Sequence, residues 1–383
     1  MENFTVYNPT KLHFGVGVIS NIHQSLKKYG KKALIIYGKG SVKKYGYLDA
    51  LKKQLNLSKT EYVEYGGIKP NPVIDDVRKA VEVAKNEKID FIIAIGGGSV
   101  IDSAKMINLS YANNIDAWDI MTYREIPKKR VPLITVLTIA ATGSEMNGAA
   151  VLQNPKTMQK IGYASELNYP DESFLDPSLT LTVPKDQTIN GIVDLIAHSL
   201  EAFFAYGDAP LSDRFIAQVI IEAMDFAEPL LNNLKNITLR ERMMWTATVA
   251  LNGTLYAGKA SSGDWGVHAL GHTISMLYDT PHGQTLSIMY PAWLKHFKAK
   301  IPERIAKLGK LITANKNTNE DQTIEIIENF FKKIGAPTRL QDINLTENHK
   351  KQILELLIKN KVSGMNFSLD EKDYEKILNF AMQ

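Results

Sequence analysis

Short apolar, β-branched runs alternate with amphipathic stretches over the first half of the chain, and amphipathic stretches alone fill the second. The runs 33–37 (ALIIY), 60–65, 91–95 (FIIAI) and 131–137 (VPLITVL) predict strands. Between them, 47–55, 73–86 and the VIDSAKMINLSYA stretch after Ser99 place apolar residues at helical spacing. Such alternation builds parallel βαβ units with helices on both faces of one sheet. After Pro184 the pattern predicts helices over 187–206, 211–232, 239–257, 264–277, 302–314, 321–334, 347–359 and 369–381. The expectation is an α/β N-terminal domain with a parallel sheet, residues 1–184, followed by an all-helical C-terminal domain, residues 185–383.

Length supports two domains, because 383 residues exceed what one ordinary core holds. A net charge of +4, and no dense basic patch interleaved with aromatics, argue against nucleic acid as a partner. The chain has no cysteine, which removes disulfides, thiolate metal ligands and a cysteine nucleophile together and suits a cytoplasmic protein. The opening MENFTVYNPTKLHFG has no apolar core of a signal peptide, and stretches such as 91–95 and 131–141 are too short to span a bilayer, so no membrane partner is expected.

Ligands of open α/β sheets bind at the carboxyl ends of the strands. There, 91–95 ends in Gly96-Gly97-Gly98-Ser99 and opens a helix. Glycines let the backbone approach a diphosphate, and a helix N-terminus offers free amides; Gly97, Gly98 and Ser99 are the expected phosphate contacts. The plain alternative is a tight strand–helix turn, since the G-x-G-x-x-G fingerprint is absent. A second small, hydroxyl-rich cluster, 138–145 (TIAATGSE), follows another strand and strengthens the cradle. After the first strand, Gly38 stands where an acid would hold the ribose hydroxyls of NAD, and Lys39, Ser41 and Lys43 follow. Missing acid and nearby bases favour NADP(H) over NAD(H).

Four of the eight histidines fall in one part of the second half. Asp194 and His198 are four apart on one helix face, His268 and His272 repeat the spacing, and His282 lies in the turn 279–283. Imidazole and carboxylate without thiolate suit Fe²⁺ or Zn²⁺ with an open coordination position. Five candidates are one more than four protein ligands require, so one of His268 and His272 is free to sit beside the site or to move a proton. The plain alternatives are satisfied core histidines or a closed structural metal, and closed sites commonly use cysteine. Trp265, Tyr278, Phe203 and Trp293 could line an apolar pocket or simply fill the core.

These residues carry a resemblance. YGKGSVKKYG (37–46), AIGGGSVIDSAK (94–105), TIAATGSE (138–145), LDPSLTLTVP (175–184), NGIVDLIAHSLE (190–201) and GDWGVHALGHTISMLYDTPHGQTLSIMYPAW (263–293) resemble the iron-containing (group III) alcohol dehydrogenases. Their order resembles most the branch of NADPH-dependent butanol dehydrogenases and aldehyde reductases. The resemblance implies a Rossmann-like first domain, a helical metal-binding second domain and a homodimer. It implies Asp194, His198, His268 and His282 as metal ligands and His272 as the histidine beside nicotinamide and substrate. It places Gly97, Gly98, Ser99 and Asp102 in the pyrophosphate and ribose loop, and Asn71, Thr138, Thr142, Ser144, Val151, Thr180 and Leu181 around the nucleotide. Lys160 matches a lysine near the nicotinamide ribose. Gly38, Lys39, Gly40 and Ser41 match the NADP-preferring turn, although the branch often carries a second glycine where Lys39 stands. The implied activity is hydride exchange between a nicotinamide and a small primary alcohol or aldehyde of the butanol/butanal type. The alternative is an NAD(H)-dependent glycerol or diol dehydrogenase of the same fold. A lyase acting on a phosphorylated substrate would want more cations than Lys160 and Lys259 near the site segments, and a nucleotide-binding module needs no open metal.

Overall fold

A computed structural model describes residues 1–383. Six strands form one parallel sheet in the order β1-β8-β5-β4-β2-β3. They are β1 (Lys11–Phe14), β2 (Lys32–Gly38), β3 (Glu61–Ile68), β4 (Phe91–Gly96), β5 (Leu133–Leu137) and β8 (Glu172–Leu175). Residues of β4 and β5 are buried at every position, as continuous apolar runs covered on both faces must be. Four of these strands are those the apolar runs predict. The other two, β1 and β8, are four residues each, and an antiparallel hairpin, β6 (Ala149–Asn154) with β7 (Gln159–Ala164), lies outside the sheet.

Helices α1 (Ile22–Leu26), α2 (Ser41–Lys44), α3 (Tyr47–Ser58), α4 (Ile74–Glu87), α5 (Gly98–Asn113) and α6 (Ala117–Met121) connect the strands. Beyond the sheet come α7 (Lys185–Phe204), α8 (Pro210–Asn232), α9 (Ile237–Ala250), α10 (Gly266–Tyr278) and α11 (His282–Phe297). Helices α12 (Pro302–Thr313), α13 (Glu320–Lys333), α14 (Glu347–Asn360) and α15 (Glu371–Met382) complete the chain. No helix is long and apolar enough to cross a membrane.

Two differences from the expected helices have physical causes. The α9 helix stops at Ala250 rather than 257, because Gly253 takes a left-handed φ of 96° and a 3₁₀ turn follows. His282 does not lie in a turn but opens α11, a helix that its interior Pro291 hides from the sequence pattern.

Contacts divide the chain into a sheet unit, Asn8–Val183 with Leu234–Thr248, and a helical unit, Met1–Tyr7 with Pro184–Asn233 and Val249–Gln383. The cut at Val183/Pro184 is accompanied by two exchanges that no pattern marks. Residues 1–7 join the helical unit, where Glu2 N–H donates to the Gly258 carbonyl. Residues 234–248 join the sheet unit, where Arg240 donates to the Val183 carbonyl and Thr248 to Glu145.

Within the helical unit, close approach of α7, α10 and α11 depends on glycine. A Cβ on Gly283 would lie 2.5 Å from the Asn190 carbonyl oxygen, and one on Gly271 would lie 2.6 Å from Thr285 Oγ1. These contacts seat the first turn of α11 against the N-terminal half of α7 and against α10.

Candidate active site

Asp194 and His198 sit one turn apart on α7, both buried. His268 is buried on α10, His272 lies half-buried one turn later, and His282 starts α11. Packing brings all five together. One donor atom each from Asp194, His268 and His282 lie within 4.8 Å of one another. Asp194 Oδ1 is 3.7 Å from both His198 Nε2 and His282 Nε2. The rings of His198 and His268 stack with centroids 5.0 Å apart, and His268 and His282 are 5.2 Å apart. The ring of His272 flanks this group, 5.2 Å from His282 and 6.5 Å from His268.

The donor set fits a divalent metal. A spacing of 3.7 Å is too long for a hydrogen bond and close to the roughly 3.4 Å that separates two donors each about 2.1 Å from one ion. His268 Nδ1 bonds Glu201 Oε1 at 2.7 Å, while its buried Nε2 has no hydrogen-bond partner. Buried nitrogens are rarely left so unless an ion or ligand claims them. Burial, with His268 alongside, pushes the His198 imidazole well below its usual range, keeping it neutral as a ligand must be. Glu201 is the residue that sequence reasoning missed. The available signal was a carboxylate three residues after a ligand, on the buried face of the same helix.

In the sheet unit the expected nucleotide residues follow the carboxyl ends of β2, β3, β4, β5 and β8, except Val151 and Lys160, which lie on the β6–β7 hairpin. Gly97 caps α5, and Gly98 begins it. A Cβ on Gly98 would fall 2.4 Å from Thr142 Oγ1, and one on Gly97 would fall 3.2 Å from Ile139 Cβ, so the two small-residue loops touch. Thr138 N–H donates to the Gly96 carbonyl. Asp102 turns inward: Oδ1 accepts from Ser144 Oγ at 2.6 Å and Oδ2 from Val151 N–H at 2.9 Å. Its two oxygens tie α5 to the 138–145 loop and to β6. Asn71, buried at φ 52°, accepts from Lys160 Nζ at 2.6 Å. The Thr180 hydroxyl donates to the Pro177 carbonyl, and Leu181 ends the same 3₁₀ turn after β8.

Gly38 ends β2, Lys39 is exposed, and Gly40 and Ser41 lead into α2. Lys43 lies 3.9 Å from Glu64, whereas Lys39 takes part in no ion pair. A second missed residue is Lys105, fully buried on α5, whose ammonium donates to the Asn147 carbonyl, Asn147 Oδ1 and the Ala149 carbonyl. Burial pulls it down to about 8 against the opposing pull of Asp102. It ties the 142–149 segment to α5.

With both sites in view, comparison with known proteins becomes decisive. Residues 9–177 match the model of the iron-containing alcohol dehydrogenases, and 188–382 match the C-terminal model of the Fe-containing alcohol dehydrogenase family. The chain belongs to the iron-containing alcohol dehydrogenase family. Among relatives of this iron-containing alcohol dehydrogenase is the Bacillus subtilis (strain 168) protein "Probable NADH-dependent butanol dehydrogenase 1", 40% identical and covering 100% of both chains. The Escherichia coli (strain K12) NADPH-dependent aldehyde reductase YqhD is 35% identical over 90% of each chain. The crystal structure of NADH-dependent butanol dehydrogenase A from Thermotoga maritima superposes with a TM-score of 0.95 at 38% identity, over 100% of this chain and 99% of that one. The two family models meet between 177 and 188, where the structure passes from sheet unit to helical unit.

Proposed function

We propose that this enzyme is a metal-dependent, NADP(H)-linked alcohol dehydrogenase that works as a reductase of small primary aldehydes such as butanal. The observation that carries the reading is the convergence of Asp194, His268 and His282 donors within 4.8 Å, beside a buried His268 Nε2 with no partner. Asp194, His198, His268 and His282 would hold Fe²⁺ or Zn²⁺, which supplies Lewis acidity to the substrate oxygen. Glu201 keeps the proton of His268 on Nδ1 and leaves Nε2 as the donor atom. The His272 imidazole stands beside the donors, where it could hand a proton to the forming alcohol. In the sheet unit, amides of Gly97, Gly98 and Ser99 at the start of α5 meet the pyrophosphate, and Lys160, steadied by Asn71, offers an ammonium to the nicotinamide ribose. The cofactor supplies the hydride.

Cofactor choice rests on the turn 38–41. It carries no acid to repel a 2′-phosphate, and the Lys39 ammonium is free of ion pairs. NADH is the second reading, favoured by the names of the Bacillus and Thermotoga relatives. Assembly as a homodimer belongs to the same reading, and the mass by light scattering tests it.

The test is oxidation of NADPH by butanal on metal-free enzyme, repeated after adding Fe²⁺ or Zn²⁺, with NADH in parallel. Metal-restored turnover favouring NADPH is expected. Turnover unaffected by metal removal would overturn the metal assignment, and a preference for NADH would overturn the reading of Lys39. NADPH binding without turnover of any short aldehyde would point instead to glycerol or a diol as substrate.

A further inference from the structure

One carboxylate in the helical unit does more than steady a histidine. Glu201 lies on α7 at 1% exposure, one turn beyond His198. Its Oε1 accepts from His268 Nδ1 at 2.7 Å and from the His268 backbone N–H at 3.3 Å. Its Oε2 accepts from the Trp265 backbone N–H at 2.5 Å, and its main-chain carbonyl accepts from Asp264 N–H at 3.3 Å. A buried carboxylate persists only when its lone pairs are satisfied, and here Trp265 N–H, His268 N–H and His268 Nδ1 supply three donors from the segment 264–268, with the Tyr290 hydroxyl beside them.

That segment has a conformation it would not adopt unaided. Trp265 stands at φ 63°, a left-handed backbone that a bulky residue rarely takes. Gly263 precedes it at φ 144°, and a Cβ there would come 2.9 Å from the indole and 3.1 Å from Glu201 Cβ. The turn therefore closes tightly over the carboxylate. It leaves the half-buried indole edge-on to His268, with centroids 5.1 Å apart, and 6.1 Å from the ring of His198.

We infer that Glu201 is a positioning residue that locks the metal donor His268 and the side wall Trp265 into one unit, and that Trp265 sets which carbon chains fit beside the metal. This rests on the metal-site reading above. The carboxylate fixes the tautomer and ring orientation of His268, so that Nε2 faces the other donors. The same carboxylate holds the Trp265 backbone in its left-handed turn, and the indole N–H donates to Ser262 Oγ at 3.2 Å, which keeps the ring beside His268.

The experiment titrates Co²⁺ into the metal-free protein and follows its visible absorption, for wild type, Glu201→Gln, Glu201→Ala and His268→Ala. Loss of a partner behind a metal-bound histidine typically weakens the metal about 10–100-fold. Glu201→Ala should show that loss and a shifted Co²⁺ band. Glu201→Gln should lie between it and wild type, because its amide oxygen still accepts from Nδ1. If Glu201→Ala does not fold, Glu201→Gln decides alone. Wild-type Co²⁺ affinity and spectrum in the folded Glu201 variants, with binding lost in His268→Ala, would overturn the inference and leave the ligand assignment standing. Wild-type binding in His268→Ala would sink the ligand assignment itself. For the wall, Trp265→Leu should keep the Co²⁺ affinity while raising kcat/KM for hexanal relative to butanal, and Glu201→Gln should move that ratio the same way. An unchanged ratio in Trp265→Leu would overturn the role of Trp265.

Discussion

Ser144 donates its hydroxyl to Asp102 Oδ1 at 2.6 Å, joining the helix after the first glycine loop to the second small-residue cluster. With Val151 N–H on the other oxygen, Asp102 holds both loops against the hairpin β6–β7. Burial pushes this carboxyl above the usual range, with Lys105 opposing. Asp102→Ala leaves a buried N–H and hydroxyl unpaired, at about 2–3 kcal/mol. We expect NADPH affinity to fall at least about tenfold while bound metal stays stoichiometric. Asp102→Asn should stay within a few-fold of wild type, because the Ser144 hydroxyl can reverse and accept from the amide. Fluorescence titration of NADPH, with metal analysis on the same samples, checks both outcomes.

Contact between the two loops also gives a steric test. A methyl group on Gly98 would overlap Thr142 Oγ1 at 2.4 Å and Cγ2 at 2.5 Å, forcing the loops apart. Gly40, in the turn near the proposed 2′-phosphate position, has nothing within 4 Å of its added Cβ. Gly98→Ala should weaken NADPH about 100-fold, on the scale of a few kcal/mol of strain. Gly40→Ala should bind NADPH within about threefold of wild type. Equal affinities in the two variants would show that close approach at Gly98 does not matter to the cofactor.

Legibility of these features in the sequence follows from how locally each is determined. Strands β2, β4 and β5 are central and buried on both faces, so their residues form unbroken apolar runs. Strands β1 and β8 are four residues long, and β8 carries Glu172 inward, so neither shows a pattern. The meeting of Asp194, His198, His268 and His282 was legible because these side-chain types are scarce in the chain, and the i,i+4 spacing of Asp194 and His198 survives in the sequence. That His282 starts a helix was not, since Pro291 interrupts the apolar pattern that would announce it. Glu201 and Lys105 escaped notice for a different reason. Each looks like an ordinary helical charge, and only tertiary packing makes it a buried hub.

Glu172 itself predicts an acid-sensitive edge of the sheet. It is nearly fully buried and meets Lys28, Ser25 Oγ at 2.7 Å, Tyr29 OH at 2.8 Å and His13 Nε2 at 2.7 Å. Burial alone would raise its carboxyl, but the Lys28 ammonium and the hydroxyls outweigh it and hold the carboxyl down to about 2 from 4.5. A depressed acid stabilises the fold fully above its unfolded value and loses that contribution as pH falls through its folded value. The window is therefore pH 4.5 down to about 2. With Lys28 half in solvent, we expect about 2 kcal/mol rather than the full shift. Urea unfolding of wild type and Glu172→Gln should differ by that amount at pH 6 and converge near pH 2. A constant difference across the range would count against Glu172 as the titrating group.

Substituting His272 tests proton delivery apart from metal holding. Its ring lies 5.2 Å from His282 and 6.5 Å from His268, while Asp194, His268 and His282 form the tight group of donors without it. His272→Ala should therefore keep its metal, where His282→Ala should lose it. A proton donor positioned beside a reacting oxygen contributes about 10²–10⁴-fold, so kcat for butanal reduction should fall about 100-fold in His272→Ala. Full rate in a metal-replete His272→Ala would assign the proton to a ribose hydroxyl or to water. His272 would then be part of the wall around the substrate rather than a participant in the chemistry.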